Sequence, residues 1–112
     1  MGKFDFDVAV IGGGSAGYAT ARITSAAGKS TVVIEGSEAL GGLCILRGCM
    51  PTKALLHAAD IRFQARRANI WGVEPGEIGF DFGKVMQRKA DMVEEFASYR
   101  RGQLQDGRFE LI

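Results

Sequence analysis

The chain has 112 residues, 46% hydrophobic and 24% charged, and its 14 Lys and Arg against 13 Asp and Glu leave a formal net charge of +1. This length suits one folded domain, and a near-neutral chain without a basic patch interleaved with aromatic residues favours no nucleic-acid partner. No apolar run approaches the roughly 18 residues of a membrane span and no signal-peptide pattern is present, so we expect a cytoplasmic protein with no membrane partner.

The first predicted elements form a β-α-β unit over residues 4–36. The apolar, β-branched and aromatic run from Phe4 to Ile11 predicts a strand buried on both faces. From Ser15 to about Ala27, small and apolar residues recur at helical spacing, and Gly28 is a natural helix stop. Ser30 to Ile34 predicts a second strand. The two strands are expected to be parallel, with a right-handed crossover.

Two helices and a last strand are predicted after this unit. Pro51 suits the first turn of a helix that runs to about Asn69, and a glycine-rich loop separates it from an amphipathic helix over Lys84 to about Gln105. Residues 108–112 resemble the start of a third strand. Because so small a parallel sheet leaves its edges exposed, we expect the chain to be a piece of a longer polypeptide.

A glycine-rich loop, GGGSAG at residues 12–17, joins the first predicted strand to the first helix. It fits G-x-G-x-x-G in the right context, with a strand before it, a helix after it and an acid at the end of the next strand. The expected roles are a tight turn at Gly12, close approach of a pyrophosphate at Gly14, helix-to-strand packing at Gly17, phosphate contacts from the amides of Ser15 and Ala16, and ribose hydrogen bonds to Glu35. The motif does not separate FAD from NAD, and a flexible strand-to-helix turn is the alternative.

Two cysteines, Cys44 and Cys49, stand five positions apart before the next predicted helix. With the distant His57 they are too few for a tetrahedral metal site, so no metal is expected. Residues five apart on an ideal helix have Cα atoms about 8 to 9 Å apart, beyond the roughly 4.4 to 6.8 Å of a disulfide. A bridge therefore needs irregular backbone, which Gly48 and Pro51 can supply. A redox pair and two buried reduced thiols both remain open.

The start of the following helix bears on which cysteine ionises. Pro51 biases Met50 away from helical geometry. A helix that begins near Cys49 would stabilise the thiolate of that residue, and Lys53 would add positive charge.

The glycine loop, Glu35 and the segment GGLCILRGCMPTK, in that order, resemble the N-terminal part of the flavoprotein disulfide reductases. Within that family the chain is similar to the class that contains dihydrolipoamide dehydrogenase, glutathione reductase and mercuric reductase, with a signature near GGTC-x3-GC-x-PSK. The matching positions are Gly41, Gly42, Cys44, Gly48, Cys49, Pro51 and Lys53. Thr52 keeps the hydroxyl of the usual serine, whereas Leu43 stands where threonine is usual.

The resemblance implies an α/β fold: a Rossmann-like βαβ FAD-binding domain with an incomplete parallel sheet and a helical pair after the redox cysteines. Residues 1–112 would be the N-terminal part of that domain. The implied divisions are the βαβ unit at 4–36, the redox-disulfide segment at 37–53, two helices with a loop at 54–105 and the start of a strand at 108–112. We expect these residues alone to bind FAD weakly at best and not to turn over.

The resemblance also implies the site. FAD would occupy the glycine site, with NAD(P)H as co-substrate on a domain absent from these residues. Cys49 would be the thiol nearest the flavin, forming the charge-transfer or covalent contact, while Cys44 would be the exposed interchange thiol that attacks a substrate disulfide, with Lys53 by the flavin. The implied cofactor-binding residues are Gly12, Gly14, Ser15, Ala16, Gly17, Glu35, Gly36, Gly42, Leu43, Cys44, Gly48, Cys49 and Lys53.

Partners follow from the same resemblance: a small-molecule or protein-bound disulfide or dithiol substrate, and a homodimer whose partner subunit supplies a catalytic His-Glu pair. His57 matches no part of that histidine motif. A dihydrolipoamide dehydrogenase-like activity is expected first, because that enzyme is common, and mercuric reductase or another class member is the alternative. A non-catalytic nucleotide-binding redox sensor and a purely structural α/β fragment are hypotheses of other kinds.

Overall fold

The computed structural model describes residues 3–112, so the first two residues of the expected FAD-binding part lie outside it. In chain order the elements are strand β1 (Val8–Ile11), helix α1 (Ser15–Ala26), strand β2 (Thr31–Ile34), helix α2 (Gly42–Leu46), helix α3 (Cys49–Arg66), a 3-10 turn (Ala68–Trp71), helix α4 (Phe82–Leu104) and strand β3 (Glu110–Leu111). The fold is α/β and Rossmann-like, as predicted.

Strand β2 forms the centre of a three-stranded parallel sheet, with β1 on one side and β3 on the other. Its residues Thr31 to Val33 are buried, and the hydroxyl of Thr31 donates to the carbonyl oxygen of Lys29, so its polar group is satisfied. The predicted parallel β-α-β unit and the third strand are confirmed.

Strand β1 begins at Val8, four residues later than predicted, so residues 4–7 precede the sheet. There the chain is held by an exchange between Asp7 and Ser30: the Asp7 amide donates to the Ser30 carbonyl at 2.9 Å, and the Ser30 amide donates to Asp7 Oδ2 at 2.9 Å. Since β2 begins only at Thr31, no partner strand extends far enough to continue the pairing.

The hydrophobic core lies between the sheet, α1 and the end of α4. It contains Val10, Ala21, Val33, Leu104 and Phe109. Ala21 is small enough to let α1 approach the sheet closely, and Leu104 fills the space on the side of α4. The core therefore joins the first and last thirds of the described chain.

The pair formed by α3 and α4 makes the molecule long. These helices have 18 and 23 residues and pack against each other. The described chain measures 74 × 26 × 19 Å with a radius of gyration of 20.6 Å, against about 13 Å for a compact domain of this size. The predicted helical pair is thus present, and it projects well beyond the sheet. No helix within residues 3–112 is long and apolar enough to cross a membrane.

Several helix boundaries differ from the predictions. Helix α3 begins at Cys49, so the expectation that Met50 lies outside helical geometry is wrong. Pro51 is the third residue of α3, where a missing N–H removes no intrahelical hydrogen bond. Helix α4 begins two residues earlier than predicted, because the side chain of Asp81 accepts a hydrogen bond from the Lys84 amide and caps it. Helix α2 was not predicted, since five residues are too few to show a helical period.

Leu104 tests the packing of the core, since its side chain is only 1% exposed. We expect Leu104→Ala to lower the free energy of unfolding by about 2 to 5 kcal/mol, because it removes buried methyl groups and leaves a cavity. Urea denaturation measures this loss. Leu56→Ala is the matched control, because Leu56 is 60% exposed and its replacement should cost less than about 1 kcal/mol. Equal losses in the two variants would contradict the described core.

Candidate functional site

The glycine loop turns the chain sharply from β1 into α1. Gly12 has φ +93°, a conformation that favours glycine. A Cβ atom on Gly17 would lie 1.8 Å from the carbonyl oxygen of Gly12 and 3.2 Å from Val10 Cγ1. The start of α1 is therefore packed against the end of β1 so closely that only glycine fits at position 17.

The N-terminus of α1 has no side-chain cap. The N-cap residue is Gly14, no capping hydrogen bond from a side chain is present there, and no acidic residue occupies the first turn. The first amides of a helix lack intrahelical partners and lie at the positive end of the helix dipole. This end can accept a phosphate, as the motif requires.

Glu35 ties the glycine loop to the end of β2. Its Oε2 accepts a hydrogen bond from the Gly13 amide at 2.7 Å, and its Oε1 accepts one from the Ser37 amide at 3.0 Å. An ionised carboxylate has about four acceptor positions, so capacity for ligand hydroxyls remains. Glu35 thus holds the glycine loop in place. It also lies where the motif expects an acidic residue that binds a ribose.

The segment with the cysteines packs directly on the glycine loop. Gly42 has φ +76°, and a Cβ atom on it would lie 2.6 Å from the Cα atom of Gly14. The two backbones therefore touch with no side chain between them. This contact explains why a glycine at position 42 accompanies the glycine at position 14.

A two-residue break separates the two cysteines. Helix α2 ends at Leu46, Arg47 and Gly48 leave helical geometry with φ/ψ of −140°/−1° and −124°/−105°, and α3 then begins at Cys49. A Cβ atom on Gly48 would lie 3.1 Å from the Leu43 carbonyl oxygen, so the turn is tight. The irregular backbone expected between the cysteines is confirmed, although the break precedes Pro51.

The side chain of Cys49 influences the ionisation of Cys44. Both cysteines are free. The hydrogen bond to the Cys49 side chain raises the pKa of Cys44, and burial adds to this, whereas the Cys49 amide and the positive charge of Lys53 act to lower it. These neighbours together make the Cys44 thiol hold its proton to a higher pH than an ordinary cysteine.

The exposure of the thiols differs from the expectation that Cys44 is the exposed one. Cys44 is half-buried and Cys49 is exposed. Cys44 belongs to α2, where the neighbouring Ile45 is buried, and both cysteines line the same cavity. Exposure within the described residues therefore does not assign the interchange role.

Two cavities meet at Gly14 and Leu43. The cysteine cavity, of about 480 Å3, is lined by Ile11, Gly12, Gly14, Ser15, Ala16, Gly17, Leu43, Cys44, Gly48 and Cys49. The Glu35 cavity, of about 310 Å3, is lined by Gly14, Glu35, Ser37, Ala39, Gly42, Leu43, Leu46 and Arg47. The glycine loop, the acid and both cysteines thus line two adjoining cavities that share Gly14 and Leu43, together called the groove.

Two of the predicted site residues line neither cavity. Gly36 follows Glu35 without lining the groove, and Lys53 lies on α3, where it acts on Cys44 through its charge. Sequence reasoning missed Ser37 and Arg47, which line the Glu35 cavity. The sequence signal that could have indicated Arg47 is the presence of a cationic residue between the two cysteines. Among residues 3–112, no three His, Cys, Asp and Glu side chains come together as a metal site.

Comparison with known proteins agrees with this geometry. The family model described as "Pyridine nucleotide-disulphide oxidoreductase" matches residues 6–107. A Bacillus subtilis (strain 168) protein named "Dihydrolipoyl dehydrogenase" is 42% identical over 84% of the chain and 20% of the relative. Proteins of the same name from Chlamydia muridarum and Zymomonas mobilis are 43% and 33% identical over 79% and 96% of the chain, and 19% and 23% of their own lengths. The chain spans about a fifth of the length of these curated relatives.

Gly17→Ala should destabilise the protein by at least about 3 kcal/mol, because the added Cβ atom meets backbone that cannot move aside cheaply. Gly102→Ala is the control, since Gly102 also lies in a helix but its Cβ atom would meet nothing within 4 Å. That variant should gain about 0.5 to 1 kcal/mol. Thermal unfolding of both variants measures the difference, and a Gly17→Ala protein as stable as the parent would refute the close approach.

Cys49→Ala should lower the pKa of Cys44, because it removes the hydrogen bond that contributes most to raising it. The thiolate fraction of Cys44 then grows at any pH below its pKa, and alkylation by iodoacetamide becomes severalfold faster near pH 8. Lys53→Met should act oppositely, raising that pKa and slowing alkylation. Mass spectrometry across a pH series distinguishes the two sites, and a Cys44 profile unchanged in Cys49→Ala would show that the thiols do not interact.

Proposed function

The chain belongs to the pyridine nucleotide-disulphide oxidoreductase family, and we propose that it forms the part of an FAD-dependent oxidoreductase that holds the flavin beside a redox-active cysteine pair. The observation that carries this proposal is the single cavity lined by both the glycine loop and the two cysteines. A nucleotide site alone would not require thiols there, and a thiol pair alone would not require an uncapped helix N-terminus.

We propose that an extended dinucleotide would lie across the two cavities. The amides of Ser15 and Ala16 would bind the pyrophosphate at the N-terminus of α1. Glu35 would accept hydrogen bonds from the adenosine ribose in its own cavity. The flavin end would then lie in the cysteine cavity, within reach of Cys49. When bound, FAD supplies a two-electron carrier that accepts hydride from NAD(P)H and exchanges electrons with a dithiol.

Cys44 and Cys49 would act in different steps of the reaction. The Cys44 thiolate attacks one sulfur of a substrate disulfide, forming a mixed disulfide while the other substrate sulfur leaves as a thiolate and takes a proton. The Cys49 thiolate then attacks the Cys44 sulfur, which releases the second substrate thiol and forms the Cys44–Cys49 disulfide. Two electrons have passed to the substrate, and two from NAD(P)H restore the dithiol. A dihydrolipoyl substrate drives the same steps in reverse.

The local electrostatics suit this order. Because the hydrogen bond to Cys49 raises the pKa of Cys44, Cys44 must lose its proton to a base before it attacks. We propose that this base is a histidine of a partner subunit in a homodimer. Cys49 begins the 18-residue helix α3, and the N-terminus of a helix is a favourable place for negative charge.

The substrate class follows the relatives. The three relatives described above are named dihydrolipoyl dehydrogenase. We therefore propose a dithiol of the lipoyl kind, which the enzyme oxidises with NAD as the final electron acceptor.

The visible spectrum of the complete purified protein tests the proposal. We expect bound flavin, and a long-wavelength absorption band after two-electron reduction that survives in Cys44→Ser and is lost in Cys49→Ser. Oxidation of dihydrolipoamide coupled to NAD reduction should fall at least about a thousandfold in both variants. A purified protein without flavin, or a long-wavelength band that persists in Cys49→Ser, would contradict the proposed arrangement.

A further inference from the structure

Arg47 lies between the two cysteines in sequence but on the other side of the groove. Its side chain lines the Glu35 cavity, whereas Cys44 and Cys49 line the cysteine cavity. The separation comes from the backbone break: the Arg47 amide donates to the Leu43 carbonyl oxygen at 2.9 Å and ends α2, and the chain then turns through Gly48 into α3. The turn between the two cysteines therefore places the intervening arginine at the Glu35 cavity.

Arg47 is the one cationic residue among those that line the two cavities, and Glu35 is the one carboxylate. Both oxygens of Glu35 accept hydrogen bonds from backbone amides. The ion pairs of the described residues join Arg101 to Glu94 and Arg108 to Asp106, so neither engages Arg47. An exposed guanidinium with five N–H donors thus faces a cavity whose acid is already held by the protein.

The place where the cavities meet indicates what this cation can bind. A ligand that spans both cavities must cross Gly14, the N-cap residue of α1. A helix N-terminus contributes the equivalent of about half a positive charge, whereas a pyrophosphate in the middle of such a ligand carries two negative charges. The α1 terminus therefore leaves most of that charge without compensation. A planar guanidinium matches phosphate oxygens with two parallel hydrogen bonds.

We propose that Arg47 binds the pyrophosphate of the cofactor from the Glu35 cavity and supplies the full positive charge that the glycine loop lacks. This inference rests on the proposed function, because it takes an ADP-containing cofactor as the ligand. Arg47 is then a cofactor-binding residue within the C-x4-C segment. Cofactor binding and the redox turn are linked through it, since one backbone break places both groups.

The test measures the dissociation constant of FAD from the complete protein after removal of its flavin. Arg47→Ala should weaken FAD binding about tenfold or more, the usual loss for a charge-assisted hydrogen bond. Arg47→Lys should recover part of the affinity, because lysine keeps the positive charge but lacks the planar guanidinium that makes two parallel hydrogen bonds. Arg88→Ala is the matched control, an exposed arginine on α4 that lines neither cavity.

Salt separates a charge effect from a loss of structure. The deficit of Arg47→Ala should shrink at about 1 M salt, where the Debye length is only about 3 Å. The assignment would be overturned if Arg47→Ala bound FAD with the same Kd as Arg88→Ala. It would also be overturned if the loss of FAD affinity in Arg47→Ala were independent of salt and Arg47→Lys restored none of it. If the unsubstituted protein holds flavin while Arg47→Ala binds it normally, only this inference fails. If the unsubstituted protein holds no flavin, the proposed function fails.

Discussion

The site depends on a backbone contact between two glycines, Gly14 in the dinucleotide loop and Gly42 in the segment with the cysteines. A Cβ atom on Gly42 would lie 2.6 Å from the Gly14 Cα atom, so any side chain there would push the two segments apart. Their contact places a thiol pair beside a helix N-terminus that lacks a cap. The glycine loop and the segment with the cysteines lie far apart in the sequence. Their contact places an anion site and a dithiol in one cavity.

The break at Arg47 and Gly48 is the second constraint. A continuous helix from Gly42 to Arg66 would separate the cysteines by more than a disulfide allows. The break interrupts such a helix, and the side chain of Cys49 raises the pKa of Cys44. It also makes Cys49 the first residue of an 18-residue helix, whereas Cys44 lies in the five-residue helix α2. The chemical difference between two identical side chains thus comes from backbone geometry.

The sheet and the helical pair contribute differently to this arrangement. The core residues join β1, β2 and the end of α4, and they hold the glycine loop in place, since Leu104 also approaches Gly13. The α3 and α4 pair extends beyond that core and exposes large apolar side chains, among them Phe63 and Phe96. The hydrophobic core therefore lies beside the nucleotide loop.

The sequence by itself determined the βαβ unit, its glycine loop, the acid at Glu35 and the need for irregular backbone between the cysteines. These features depend on local periodicity and short motifs, and neighbours along the chain carry that information. Only the tertiary structure decided that the break falls at residues 47 and 48, that Met50 is helical, that Cys44 is the less exposed thiol and that Arg47 faces the Glu35 cavity. The physical reason is that burial, thiol contact and cavity lining depend on segments that approach through folding, which no pattern in the sequence records.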